Sequence, residues 1–187
     1  FDEDKRGYWK IWEEPIRSIQ NLYCIGVDVA EGKAVIPELG LRGGDFSSAK
    51  VFRRDTRRLV AMLNERLDPD LFAGELHSAS GYWGGSGILV ESNPGGSGNV
   101  VIRNLKQIPG LKLLTTPVLN RKYDDVADSY GWRTTESSKR QMIDELIEHI
   151  READFEDPDK EFWYQASTYV RDEKGRTNAQ QGKYDDL

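Results

Sequence analysis

Three acidic positions carry the chemical content of this sequence. Asp28 ends the apolar run YCIGVD, Glu91 ends ILVE, and the pair Asp185-Asp186 stands in GKYDDL. A carboxylate at the end of a hydrophobic run is costly to desolvate unless it is paired, hydrogen-bonded or bound to a cation. Each position also has a plain structural reading: a surface acid at a strand end, a strand-to-helix turn, and an acid pair complementing a helix dipole. In combination they point to one chemistry. Neighbouring parallel strands end at one edge of a sheet, so their terminal carboxylates converge there. A set of oxygen donors suits hard cations such as Mg2+ or Mn2+. Two such ions roughly 4 Å apart activate water and stabilise the leaving oxygen in phosphodiester cleavage.

Other chemistries fit poorly. In GVDVAEGK, Gly26 and Gly32 are separated by five residues and Lys33 is followed by Ala34. A phosphate-binding P-loop needs four intervening residues and a hydroxyl after the lysine, so the stretch is not one. His77 and His149 lie in helical patterns without cysteine partners, which argues against a zinc site. No serine sits in a G-x-S-x-G elbow. Cys24 lies inside an apolar run and reads as packed in a sheet. The glycine-rich turn after Glu91, NPGGSG, would let backbone approach a phosphate closely, and the helix after it offers N–H groups to an anion. Asp45, in GGDFSS, reads as a turn cap or an auxiliary acid. Basic residues cluster at Arg53, Arg54, Arg57 and Arg58, at Arg103 and Lys106, at Arg121 and Lys122, and at Lys139 and Arg140. Such clusters are more often solvated faces than phosphate sites. Arg121, Lys122, Lys139 and Arg140 are the candidate DNA contacts, because they flank a loop that follows the parallel half of the sheet.

The elements that must position these groups follow from periodicity. Residues 21–29 read as a buried strand, and 47–55 and 57–67 as two further strands joined tightly at Asp55-Thr56. Asp68-Pro69 is a helix start, with the helix running to about Trp83 and stopping at Gly84-Gly85. A short strand over 87–92 precedes a helix over 99–108 with Val100, Val101, Leu105 and Ile108 on its apolar side. LKLLTTPV (111–118) is a further strand, and 119–136 reads as a polar loop. Ser137 or Ser138 opens a helix with apolar positions at Met142, Ile143, Leu146, Ile147 and Ile150. A short helix over 159–166 and a hairpin turning at Lys174-Gly175 follow. This order predicts an α/β fold: a mixed sheet, three antiparallel strands then parallel ones, with helices on both faces.

The 187 residues suit one domain of ordinary size. Residues 1–20, with a break at Pro15, read as a lead-in from a preceding domain, and 21–187 as the domain itself. With 37% hydrophobic and 31% charged residues, the chain has no apolar run near the ~20 residues of a membrane span. Its single cysteine cannot form an internal disulfide, which suits a reducing cytosol. The net charge of −6 lacks the basic excess usual in nucleic-acid binders. An acidic nuclease is still compatible with it, because metal-binding and surface acids lower the total while a local basic patch holds phosphate.

Several stretches, in order, resemble one family. GVDVAEG, GDFSSAKVFRRDT, LDPDLFAGEL, ILVESNPGGSGNVVIRNL, GWRTTESSKRQMIDEL and the closing GKYDDL are similar to the C-terminal nuclease domain of the large terminase subunit of tailed bacteriophages. The resemblance extends from about Tyr23 to Leu187 and implies an RNase H-like fold. It implies two divalent ions, Mg2+ or Mn2+, held by Asp28, Glu91 and Asp185 or Asp186. The implied activity is endonucleolytic cutting of concatemeric viral double-stranded DNA during genome packaging. The implied partners are an N-terminal ATPase domain in the full-length chain, the portal and the small terminase subunit, and the implied location is the host cell cytoplasm. Family members often carry histidine at the position of Tyr184 and glutamate at that of Gln165. Two alternatives belong to other classes. An actin-like or sugar-kinase-like ATPase also begins with a strand, an acid and a glycine-containing loop, but needs two such domains. A non-catalytic module would only grip DNA or the portal, showing salt-sensitive binding without cutting.

Overall fold

The computed structural model describes residues 7–30, 46–120, 125–171 and 177–179. It divides into two compact units. The first comprises Phe1–Asp55 and Leu59–Thr134, and the second comprises Thr56–Arg58 and Thr135–Leu187.

The first unit is built on a five-stranded sheet. Its strands are β1 (Trp9–Ile11), β2 (Tyr23–Asp28), β3 (Ser47–Arg53), β4 (Arg58–Glu65) and β5 (Gly87–Val90), in the order β1-β4-β3-β2-β5. β2 and β3 are antiparallel, as are β1 and β4, while β2 and β5 run parallel. Residues 9–11, inside the segment read as a lead-in, form the edge strand, with Trp9 opposite Leu63. Three residues between Tyr8 and Trp12 carry too little pattern to announce a strand. β2 alternates strictly: Tyr23, Ile25 and Val27 are buried, while Asp28 on the opposite face is exposed. β3 does the same with Ser47, Ala49 and Val51 buried. In β4 every residue from Leu59 to Leu63 is buried.

Helix α1 (Pro69–Tyr82) follows β4 and leads to β5. Proline stands at its first turn, where a missing N–H costs nothing. Gly84 and Gly85, at φ +72° and +74°, turn the chain out of it, with the Gly85 N–H donating to the Ser80 carbonyl. Phe72, Ala73, Leu76, Ala79 and Ser80 are its buried residues. Phe72 and Leu76 are wholly buried in a core with Ile25, Val51, Ile88 and Val90. Each contributes roughly 1.5–3 kcal/mol. Helix α2 (Gly98–Leu105) packs on α1 and β5 through Val101, Ile102 and Leu105. Val100, expected on the apolar side, is exposed, and Ile102 takes its place. Three consecutive apolar positions, Val100 to Ile102, do not decide between the two faces.

The segment 111–136 differs most from expectation. Beside β5, backbone bonds join Ile88 N–H to the Lys112 carbonyl and Leu114 N–H to the Ile88 carbonyl. The chain then leaves the sheet as an antiparallel ribbon, β6 (Thr115–Asn120) and β7 (Asp125–Tyr130). It returns at Trp132, whose N–H donates to the Val90 carbonyl and whose carbonyl accepts from Ser92 N–H. The predicted sheet strand over 111–118 is thus one side of a split sixth position with a ribbon inserted into it. The predicted loop over 119–136 contains the ribbon's second strand. DVADSY carries no strand pattern because a ribbon is held by its backbone ladder and requires no apolar face.

In the second unit, α3 (Glu136–Arg151) is capped by Thr135. The Thr135 hydroxyl accepts from Ser138 N–H at 3.1 Å and the Ser138 hydroxyl accepts from Thr135 N–H at 2.8 Å. This reciprocal box replaces the predicted start at Ser137 or Ser138, with Ser138 as its third helical position. None of the five apolar positions of α3 is buried. Helix α4 (Lys160–Ser167) occurs as expected, and β8 (Tyr169–Arg171) pairs antiparallel with β9 (Thr177–Ala179), while the expected turn at Lys174-Gly175 lies outside the described residues. Phe155, Phe162 and Trp163 form an aromatic cluster, with Phe162 and Trp163 edge to face at 5.0 Å. Among the described residues, no helix is long and apolar enough to cross a membrane.

Candidate metal centre

The register of β2 against β5 decides where the first two acids meet. Ile25 pairs with Ile88, Gly26 with Leu89 and Val27 with Val90. The next step brings Asp28 beside Glu91, and the ladder continues there, with Glu91 N–H donating to the Val27 carbonyl at 2.8 Å. Side chains alternate along a strand, and paired residues of parallel strands share a face. Ile25, Val27, Ile88 and Val90 face the core. Asp28 and Glu91 therefore leave the opposite face, at the C-terminal edge, on strands about 4.8 Å apart. Ser48 pairs with Asp28 from β3, and Lys50 pairs with Gly26 one step behind. A side chain at Gly26 would meet no atom within 4 Å, so the ground behind the two acids is open.

Asp28 is exposed and Glu91 half-buried. Asn93 Nδ2 donates to Glu91 Oε1 at 2.6 Å, and Asn93 Oδ1 accepts from Thr134 N–H at 3.1 Å. Two glycines closely flank this backbone. A Cβ on Gly98 would stand 1.9 Å from the Glu91 carbonyl oxygen, and one on Gly131, at φ +81°, 2.4 Å from that of Val90. The first of these revises the reading of the glycine-rich turn. Gly98 admits the chain's own backbone, bringing the start of α2 against Glu91. The roles of Asn93, Gly98 and Gly131 carry no signal in the sequence, because the contacts that define them depend on where Thr134, Glu91 and Val90 stand in the fold.

The remaining candidates lie elsewhere or outside the described residues. Asp185, Asp186, Asp45, Arg121 and Lys122 fall outside. Lys139 and Arg140 stand early in α3, with Arg140 Nε 3.8 Å from Asp144 Oδ2. The arginine-rich turn is tied to acids: Arg53 to Asp55 and Glu13, Arg57 to Asp154, and Arg58 to Glu156. Those two carboxylates hold the Arg53 guanidinium well above its ordinary pKa. Lys106 lies over the Tyr130 ring at 4.4 Å. Cys24 is packed in the sheet with its thiol toward the Phe52 carbonyl, and burial raises its pKa. In the second unit, ligand atoms of His149, Glu152 and Asp154 lie within 4.8 Å of one another. Asp154 there already binds Arg57 through one oxygen and meets His149 Nδ1 through the other.

The fold is shared with large-terminase nuclease domains of thermophilic phages. No protein-family model matches the sequence, and no curated protein does. The nuclease of the large terminase from thermophilic phage G20c, solved with bound magnesium, superimposes with a TM-score of 0.69 at 17% identity. The match covers 98% of this chain and 84% of that one. The same nuclease with bound cobalt gives 0.70 at 18% identity, with the same coverage. The Thermus phage P74-26 large terminase nuclease domain gives 0.64 at 16%, covering 96% of this chain and 79% of that one. At these identities it is the superposition that shows a shared fold.

Proposed function

We propose that this chain is a metal-dependent endodeoxyribonuclease, the nuclease part of a phage large terminase, cutting concatemeric viral DNA during genome packaging. The observation that carries the reading is the β2–β5 register, which sets Asp28 beside Glu91 on the open face of the sheet. The fold shared with terminase nucleases solved with magnesium and cobalt supports it. The donor chemistry fits: two carboxylates on adjacent strands offer oxygen ligands matched to Mg2+ or Mn2+. Asp28, on the strand flanked by β3 and β5, would hold both ions of a pair, Glu91 one, and Asp185 or Asp186 the other. When bound, such ions supply Lewis-acid activation of water and neutralise charge at the leaving oxygen.

The protein's own part is to set these carboxylates against each other and hold the phosphodiester. The rigid ladder fixes the backbones of both acids, while Asn93 restrains the Glu91 carboxylate. Arg121, Lys122, Lys139 and Arg140 are the proposed contacts to double-stranded DNA. The ATPase domain, portal and small terminase subunit are the proposed partners, and the host cell cytoplasm the proposed location.

Incubation with supercoiled plasmid tests the reading. Nicked and linear products are expected with Mn2+ or Mg2+ and none with excess chelator. Asp28→Asn should abolish cutting while leaving the circular-dichroism spectrum unchanged. Undiminished cutting by that variant refutes the assignment.

A further inference from the structure

We infer that Asn93 is a positioning residue for the metal centre, fixing the orientation of the Glu91 carboxylate through Thr134. The inference rests on the metal-dependent reading above. Asparagine in a glycine-rich turn commonly bonds to its own backbone two residues on. Here the side chain does something else. Its two polar atoms bridge the Glu91 carboxylate and a backbone N–H 41 residues away. The Thr134 N–H can only donate, so the atom facing it is Oδ1, and the atom facing Glu91 is the amide Nδ2. The orientation of the amide is thereby forced. At 2.6 Å the bond to Glu91 is short, as befits an amide donating to a charged carboxylate.

The residue is itself held. Its backbone carbonyl accepts from Gly96 N–H at 3.0 Å and from Asn99 Nδ2 at 2.8 Å, tying it to the first turn of α2. Glutamate has three rotatable side-chain bonds, and Asn93 restrains them from a fixed base. Such outer-shell hydrogen bonds orient ligands, and their loss typically costs about 10–100-fold in metal affinity. Asn93 is not itself a ligand in this arrangement, because its one acceptor oxygen is turned to Thr134.

Asn93→Asp separates the two halves of the bridge. It keeps an oxygen for Thr134 and replaces the donor beside Glu91 with an acceptor. Mn2+ affinity of the purified chain, measured by titration calorimetry, is expected to fall about 10–100-fold. The thermal midpoint without metal should fall only modestly, because the new carboxylate opposes that of Glu91 while the Thr134 anchor survives. In a Glu91→Gln background the same substitution should change the Mn2+ dissociation constant less than about threefold, since the coupled partner is gone. Unchanged or tighter Mn2+ binding by Asn93→Asp, with Glu91→Gln still weakening it, overturns the inference alone. An equal loss in both backgrounds also overturns it, because the effect then bypasses Glu91. If the parent binds no Mn2+, or if Asp28→Asn and Glu91→Gln leave binding intact, the metal-centre reading falls and this inference with it.

Discussion

Replacing Gly98 by alanine should destabilise the first unit, although helix propensity argues for the opposite. Gly98 opens α2, and a Gly→Ala exchange in a helix interior ordinarily gains about 1 kcal/mol. Here the new methyl would stand 1.9 Å from the Glu91 carbonyl oxygen and 3.1 Å from its carbon. Both are backbone atoms, so no rotamer change relieves the overlap. The start of α2 and the end of β5 must part by about 1.1 Å merely to reach 3.0 Å, the shortest approach real Cβ atoms show. Overpacking of this kind costs about 1–3 kcal/mol. A terminal helix position recovers less than the interior propensity gain, so the net sign is a loss. At about 2–4 °C per kcal/mol for a chain of this size, the midpoint should fall by several degrees. Gly74→Ala is the matched control. It lies within α1 with nothing within 4 Å of its Cβ, and should gain about 0.4–1 kcal/mol. Thermal melts of the two variants beside the parent decide the matter. If Gly98→Ala melts at or above the parent, the close approach of α2 to Glu91 is wrong, and with it the account of the turn.

Phe72→Ala should cost about 3–5 kcal/mol in denaturant unfolding, because the ring is wholly buried among β-sheet and helix side chains. Cys24 should react with iodoacetamide more slowly at pH 8 than a free cysteine does, since burial raises its pKa and keeps the thiol protonated. The same shift makes that thiol's contribution to stability full below its unfolded pKa and lost as pH rises through the folded one, which a Cys24→Ser comparison across pH 8–10 would register.

Local signals were legible wherever a single stretch of chain decides its own geometry. Asp68-Pro69 and Gly84-Gly85 bracket α1 because proline and glycine restrict or free the backbone at their own positions. The alternation of YCIGVD marks β2 and leaves Asp28 on the face away from the core. Offsets of one or more residues were not legible. The choice between Val100 and Ile102, and between Thr135 and the serines after it, depends on what packs or bonds opposite. The insertion of β6 and β7 into a split strand position was hidden for the same reason.

By itself, then, the sequence determined that two acids end apolar strands and that helices lie on either side of the strand ending at Glu91. Tertiary structure decided that β5 lies parallel to β2 in the register that sets Glu91 beside Asp28. It also decided that Thr134 and Gly131 return to that edge and that Gly98 is needed for contact rather than for a turn. The division is physical: dihedral preference and side-chain period act at each position and its near neighbours, whereas strand register and backbone approach are settled by what the fold brings opposite.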